Sequence, residues 1–263
     1  MSGFSADWLA LREPADQAAR SQQVLAACGA FFADWNAVTV CDLGSGTGAA
    51  VPAFGPYLPA RQHWILVDDT PNNLAEAQRL RASVAVTVEP LVANLADNPA
   101  PWPNGCDLVT ATALFDLASP TWIEHLCEEL ASQQLPLLAT LTYDGLLRFS
   151  RSHPADSAML AAFNRHQTLD KGLGGPAAGP NGTAAPTVAL QRHGYTITVG
   201  ESPWQLDGTR DQALTTELLR GWASAVTDAG FVPAAETDGW LKTHLARKDS
   251  LEVGHKDLFA VPC

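Results

Sequence analysis

The chain has 263 residues, 46% of them hydrophobic, and its formal net charge is −12. This length and apolar fraction are typical of one globular α/β domain, and no stretch approaches the ~18 continuous apolar residues that a membrane helix needs, so we expect no membrane association. The 16 lysines and arginines are spread along the chain, which argues against a nucleic-acid partner because such proteins present a concentrated basic surface.

The N-terminal part, residues 1–37, is predicted to be helical. Apolar residues recur at helical spacing over 5–33, Ser5 is a suitable N-cap, and Pro14 is predicted to divide the segment into two helices. No basic region is followed by an apolar block, so we expect no signal peptide.

The central part, residues 38–142, alternates between strand and helix patterns. Apolar, β-branched runs predict strands at 38–43, 63–68, 85–92, 107–111 and 135–142, and Pro90 is expected to interrupt the third of them. Helical patterns follow up to residue 58 and at 71–83 and 121–132. Such alternation is typical of a parallel sheet with helices on both faces.

The pattern changes after the fifth strand. Residues 143–194 are predicted to form an insertion on the substrate side, with helices at 154–168 and 187–193 and a loop rich in Gly, Pro and Ala at 172–186. Residues 195–263 carry two more strands, 195–199 and 251–261, and two helices, 211–229 and 236–247. We therefore expect a single domain over 1–263, built on an α/β, doubly wound, seven-stranded, mostly parallel sheet.

The strongest local signal is the turn after the first strand, Asp42-Leu43-Gly44-Ser45-Gly46-Thr47-Gly48. Glycines between a strand and a helix let the backbone approach a ligand closely, at the strand end where open α/β sheets bind ligands. Gly44, Gly46 and Ala49 also satisfy the GxGxxA pattern of nicotinamide dehydrogenases. Asp42 argues against that alternative, because a carboxylate repels a pyrophosphate and suits an ammonium or a sulfonium.

The turn resembles the first motif of the class I S-adenosylmethionine (SAM)-dependent methyltransferases, roughly (D/E)xGxGxG. The resemblance implies a Rossmann-like fold with SAM as the cofactor, bound by Asp42, Gly44, Ser45, Gly46 and Gly48. In that family an acid at the end of the second strand binds the ribose hydroxyls. Asp68 holds that place, 20 residues after Gly48, with Asp69 beside it.

Two further landmarks of the family follow in order. After the third strand the family carries an Asp and an apolar residue that hold adenine; Asn94-Leu95 stands there, with Asp97 as an alternative. Residues 106–117 resemble the fourth strand and the loop that lines the methyl-donor pocket, which implies cofactor contacts from Ala111 and Leu114.

A charged stripe lies on the N-terminal helix, where Arg12, Asp16 and Arg20 repeat every four residues. In many members of the superfamily such a helix closes over the cofactor, and the resemblance implies that Arg20 holds the SAM carboxylate. The alternative is a solvated helix face held by i,i+4 ion pairs.

Three residues are candidates for catalysis. Asp116 follows the fourth strand beside the expected methyl donor, as a base or an ammonium-binding group; the alternative is an N-cap or turn acid. His166 and Asp170 are four residues apart, so on a continuing helix they would form a base–orienter pair. The alternative for that pair is a solvated helix C-terminus.

The sequence therefore predicts an enzyme that transfers the SAM methyl group to a small-molecule nucleophile by in-line displacement. Two alternatives stay open: a non-catalytic or regulatory SAM-binding protein of the same fold, and a nicotinamide-dependent oxidoreductase. The five cysteines fit no zinc spacing, which predicts free thiols, no metal and a reducing, cytoplasmic location.

Overall fold

A computed structural model describes residues 5–77 and 85–263. In these ranges eight strands form one sheet: β1 Ala37–Leu43, β2 Arg61–Asp68, β3 Val86–Val92, β4 Leu108–Thr112, β5 Leu137–Phe149, β6 Tyr195–Glu201, β7 Trp204–Leu206 and β8 Leu251–Pro262. The helices in the same ranges are α1 Ala6–Ala19, α2 Gln22–Phe31, α3 Ala50–Phe54, α4 Pro71–Ala77, α5 Pro120–Ser132, α6 Asp156–Gln167, α7 Ala184–Arg192, α8 Gln212–Asp228 and α9 Ala234–Arg247.

The strand order is β3-β2-β1-β4-β5-β8-β6, and β7 adds to β8. The pairs from β3 to β5 are parallel, whereas β8 runs antiparallel to both β5 and β6. The predicted doubly wound, mostly parallel sheet is therefore confirmed. The strand order reverses between β1 and β4, and the carboxyl ends of these strands flank the crevice where open α/β sheets bind ligands.

Apolar side chains cover both faces of the sheet because consecutive strand residues point to opposite sides. In β1, Cys41 and Leu43 pack with α5, whereas Val38 and Val40 pack with α2 and α3. A third cluster joins α6, α8 and α9 to the C-terminal half of β5 and to the first residues of β8. This third cluster forms a wall beyond the sheet crevice.

The fifth strand is longer than predicted because it continues past residue 142 to Phe149. Its pairing with β8 shifts register between Tyr143 and Leu147, and Gly145 in this stretch has a φ of 90°. The glycine therefore allows an irregularity that bends the strand without ending it. β7, which the sequence did not predict, pairs with the same end of β8; three residues are too short to show a strand period.

The N-terminal helices are divided at a different place from the predicted one. Pro14 lies inside the continuous helix α1, so the predicted break at Pro14 was wrong. The chain instead turns at Arg20, and the next backbone amide, that of Ser21, donates to Asp257 Oδ2 at 2.8 Å. A proline removes only one helical hydrogen bond, which α1 tolerates. At Ser21 the backbone amide is bound by the buried Asp257 carboxylate of β8 and not by a helical carbonyl, and α1 has ended.

Two other predictions concern the region of β2 and β3. Pro90 does not interrupt β3, which lies at the edge of the described sheet, where proline is tolerated. The helix predicted over 71–83 is observed as α4 up to Ala77, and the remainder lies outside the described residues.

Within the described ranges, none of the helices has the length and apolarity needed to cross a bilayer. The same ranges contain no grouping of three or more His, Cys, Asp or Glu side chains that could hold a metal ion.

Candidate functional site

The glycine-rich turn after β1 adopts a backbone that only glycine takes without strain. Gly44, Gly46 and Gly48 have φ values of 64°, 53° and 82°. A Cβ on Gly46 would also lie 2.9 Å from Leu9 Cδ1 of α1. The turn is tied to β2, because Ser45 N donates to Val67 O at 2.9 Å and Gly46 N to Asp68 Oδ2 at 2.8 Å.

A cavity of about 850 Å³, including its open mouth, lies at the carboxyl ends of β1, β2, β3 and β4. We call it the cofactor cavity. Its lining residues are Leu9, Arg12, Gly44, Gly46, Asp68, Asp69, Asn73, Ala93, Asn94, Leu95, Thr112, Ala113, Leu114, Leu117, Gly172 and Leu173. Its mixture of apolar and polar groups is typical of small-molecule sites.

Seven of the residues predicted to bind the cofactor line this cavity: Gly44, Gly46, Asp68, Asp69, Asn94, Leu95 and Leu114. Asp97, the alternative for adenine, does not line it; Asp97 Oδ2 accepts from Asn94 Nδ2 at 2.9 Å and thereby orients the Asn94 amide. Ser45 and Gly48 lie in the glycine turn and Ala111 lies in β4, and none of these three residues lines the cavity.

Asp42 is buried behind the glycine turn and does not line the cavity. Its Oδ1 accepts from Thr110 Oγ1 at 2.7 Å. Burial raises the pKa of Asp42 to about 7, against the hydrogen bond from Thr110 and the nearby Arg20 guanidinium. In the structure Asp42 therefore links β1 to β4 beneath the turn.

Replacing Asp42 with asparagine is expected to stabilise the protein at alkaline pH. The folded protein holds the Asp42 proton more tightly than the unfolded chain, so stability falls as pH rises from about 4 to about 7 and then stays level. Asparagine keeps the acceptor for Thr110 and removes this loss. Urea denaturation should show Asp42→Asn to be roughly 1–3 kcal/mol more stable than wild type at pH 8. The difference should shrink towards pH 4.5, and parallel pH profiles would contradict this account.

The charged stripe of α1 faces the interior, so the solvated alternative was wrong: Arg12, Asp16 and Arg20 are all buried. Arg12 Nε and Nη2 donate to the two Asp16 carboxylate oxygens at 2.9 and 3.1 Å. Trp204 Nε1 donates to Asp16 Oδ1 at 3.0 Å, and the Arg12 guanidinium lies 5.1 Å from the centre of the Trp204 ring. This group joins α1 to β7.

Arg20 does not line the cofactor cavity. Its guanidinium lies 5.3 Å from the centre of the Phe54 ring, near the carboxylates of Asp16, Asp257 and Asp42. The arginine of α1 that lines the cavity is Arg12, two helical turns earlier. The four-residue repeat predicts that both arginines lie on one stripe, but it does not indicate which of the two lines the cavity.

A second cavity adjoins the first, and we call it the acceptor cavity. Its lining residues are Trp8, Arg12, Ala113, Asp116, Leu117, Leu141, Tyr143, Phe163, Gln167, Leu218, Trp204, Trp222, Val253 and His255. The two cavities share Arg12, Ala113 and Leu117. Side chains from α1, α6, α8, β5, β7 and the start of β8 therefore line a space rich in aromatic groups beside the sheet crevice.

Asp116 lies in the wall of the acceptor cavity and is 8% exposed. Its Oδ1 has no hydrogen-bond partner among the described residues. Burial raises the pKa of Asp116 to about 6, against smaller effects of backbone amides and the Arg12 guanidinium. The N-cap of α5 is Ser119, whose Oγ accepts from Trp122 N at 3.1 Å, so Asp116 is not the cap of that helix.

The predicted pair of His166 and Asp170 does not form, because α6 ends at Gln167. Asp170 Oδ1 instead accepts from Gly172 N at 2.7 Å, and His166 Nδ1 lies 3.2 Å from Lys171 Nζ. Neither residue lines either cavity, whereas their neighbour Gln167 lines the acceptor cavity.

The loop at 172–186 packs against the segment around Asp116. Ala178 N donates to Ala118 O at 2.7 Å, and Gly179 N donates to Asp116 O at 3.0 Å. A Cβ on Gly182 would lie 2.7 Å from Asp116 N, so this close approach requires glycine. The predicted insertion thus contacts the loop after β4 through backbone hydrogen bonds and close packing.

This chain resembles known proteins in its fold and not in its sequence. No protein-family model matches the sequence, and no curated protein matches it in sequence. The cyclopropane synthase MmaA2 from Mycobacterium tuberculosis is 13% identical with a TM-score of 0.52, over 98% of this chain and 94% of that chain. Phosphoethanolamine N-methyltransferase 2 from Haemonchus contortus, solved with SAM, is 14% identical with a TM-score of 0.50; all of this chain matches 58% of that longer chain. The chain therefore has the class I methyltransferase fold.

Proposed function

We propose that this chain is a SAM-dependent methyltransferase that binds SAM in the cofactor cavity and a small-molecule acceptor in the acceptor cavity. The observation that carries the proposal is the shared border of Arg12, Ala113 and Leu117 between the two spaces. In-line displacement requires a donor and an acceptor held in contact without intervening water. Two cavities that share a border would allow a donor and an acceptor to be held in contact, which supports the proposal.

The residues of the cofactor cavity fit the groups of SAM. Asp68 offers carboxylate oxygens to the ribose hydroxyls, and Asn94 with Leu95 offers an amide and an apolar surface to adenine. Gly44 and Gly46 allow the backbone to approach closely. We assign the amino-acid carboxylate of SAM to Arg12 rather than to Arg20, because Arg12 lines the cavity.

The sulfonium of bound SAM would supply the activated methyl group, and the chain's own residues would position the acceptor. Asp116 is the sequence-predicted catalytic residue that lines the acceptor cavity, so we assign contact with the acceptor to it. The formal net charge of −12 favours a small molecule over nucleic acid. The five cysteines are free and four are buried, which supports a reducing, cytoplasmic location as part of the proposal.

The first test is calorimetric titration of the purified protein with SAM and, separately, with NADH. We expect SAM to bind with a Kd on the order of 10 µM and NADH to give no signal at that concentration. Binding of NADH alone would overturn the proposal in favour of a nicotinamide enzyme. Transfer of a labelled methyl group from SAM to a member of a metabolite panel would then separate an enzyme from a non-catalytic SAM-binding protein.

A further inference from the structure

Three residues that line the acceptor cavity each carry a buried polar atom without a partner. Trp8 Nε1, Asp116 Oδ1 and His255 Nδ1 have no hydrogen-bond partner among the described residues, and all three residues line this space. Buried polar groups are normally hydrogen-bonded, and an orphan costs free energy. The Asp116 carboxylate oxygen is the orphan acceptor of this set, and it indicates a ligand that carries a hydrogen-bond donor.

The charges of the residues that line the acceptor cavity indicate which charge the ligand carries. Arg12 is paired with Asp16 through Nε and Nη2, and its remaining nitrogen, Nη1, is the donor that we assign to the SAM carboxylate. Burial lowers the pKa of His255 to about 3, so this imidazole is neutral. Among the described residues no cation is ion-paired with Asp116, and Lys171, the other nearby cation, does not line the cavity. Asp116 is therefore the uncompensated charge of the lining.

The aromatic residues that line the acceptor cavity also favour a bound cation. Phe163 and Trp222 stack with ring centroids 3.9 Å apart, and the Tyr143 ring meets both edge-on at 5.8 and 6.2 Å. The Tyr143 hydroxyl donates to Asn164 Oδ1 at 2.8 Å, so it is already engaged. Aromatic faces attract ammonium groups and accommodate apolar or aromatic bodies.

We propose that the acceptor is a primary or secondary amine on an apolar or aromatic body, and that Asp116 binds its ammonium group and accepts its proton. This inference rests on the proposed function. The step balances as follows: one proton passes from the ammonium to the Asp116 carboxylate, which frees the nitrogen lone pair. The nitrogen then forms a bond to the methyl carbon as the carbon–sulfur bond breaks, with the electron pair staying on sulfur. The products are the methylated ammonium and S-adenosylhomocysteine, and Asp116 returns its proton to solvent.

The test uses three probes of similar size with different head groups: phenethylamine, 2-phenylethanol and phenylacetate. Each is titrated calorimetrically into the full-length protein saturated with S-adenosylhomocysteine, which cannot donate a methyl group. We expect the amine to bind at least about 10-fold more tightly than the other two, because a charge-assisted hydrogen bond is formed in a desolvated site. Amine affinity should fall as the pH drops through about 6, where Asp116 becomes protonated with Arg12, Lys171, Tyr143 and His255 around it.

Two variants complete the design. Asp116→Asn should lower amine affinity at least about 10-fold and remove its pH dependence. Asp238→Asn removes one negative charge from an exposed site on α9 and should leave amine binding unchanged. The proposal is overturned if the alcohol or the carboxylate binds as tightly as the amine, if Asp116→Asn keeps wild-type amine affinity, or if a protein that binds S-adenosylhomocysteine binds no amine. The wild-type selectivity decides even if Asp116→Asn fails to fold. Loss of S-adenosylhomocysteine binding itself would be a failure of the proposed function.

Discussion

Replacing Asp68 with alanine is expected to weaken SAM binding by at least about 100-fold while the fold persists. Asp68 Oδ2 accepts from Gly46 N at 2.8 Å, and Oδ1 accepts from Thr70 N at 2.9 Å. Each carboxylate oxygen keeps a second lone pair, so the same group can accept from adjacent ribose hydroxyls. Alanine would remove these acceptors and one of the two hydrogen bonds that tie the glycine turn to β2, while the bond from Ser45 N to Val67 O remains.

Calorimetric titration with SAM measures this effect, and circular dichroism checks the fold of the variant. Asp238→Ala, on the exposed side of α9, is the matched control and should bind SAM as the wild type does. Wild-type affinity in a folded Asp68→Ala protein would remove Asp68 from the cofactor site. An equal loss in both variants would mean that net charge, and not the contact, controls affinity.

Replacing Asp16 with alanine is expected to destabilise the protein by about 3–5 kcal/mol. The substitution would leave the buried guanidinium of Arg12 without its ion pair and Trp204 Nε1 without its acceptor. It would also remove a nearby carboxylate from Arg20. Removal of one partner from a buried pair is costly because the remaining charge is desolvated and uncompensated. Urea denaturation at pH 7 measures the loss.

A double variant separates the charge effect from the packing effect. Arg12→Met with Asp16→Leu removes both charges and keeps apolar volume, so it should recover a substantial part of the lost stability. SAM affinity should not recover with it, because the arginine that lines the cofactor cavity is gone. A loss below about 1 kcal/mol in Asp16→Ala would show that the pair is more solvated than its geometry indicates.

The sequence by itself determined the sheet and the ligand-binding end of it. Strand and helix periods are local, and so is the run of glycines from Gly44 to Gly48, which requires φ values that other residues avoid. The spacing to Asp68 follows from one β–α–β unit. These features depend on neighbours within about 25 residues, so the local sequence pattern contains the information that predicts them.

Only the tertiary structure decided which polar residues meet at the site. Helical spacing placed Arg12 and Arg20 on one stripe. Asp16, however, accepts from Trp204, 188 residues away, as well as from Arg12, and of the two arginines only Arg12 lines the cavities. His166 and Asp170 matched a helical repeat, yet the end of α6 at Gln167 separates them. Such outcomes depend on burial and hydrogen bonding between elements remote in sequence, and local periodicity contains no information about them.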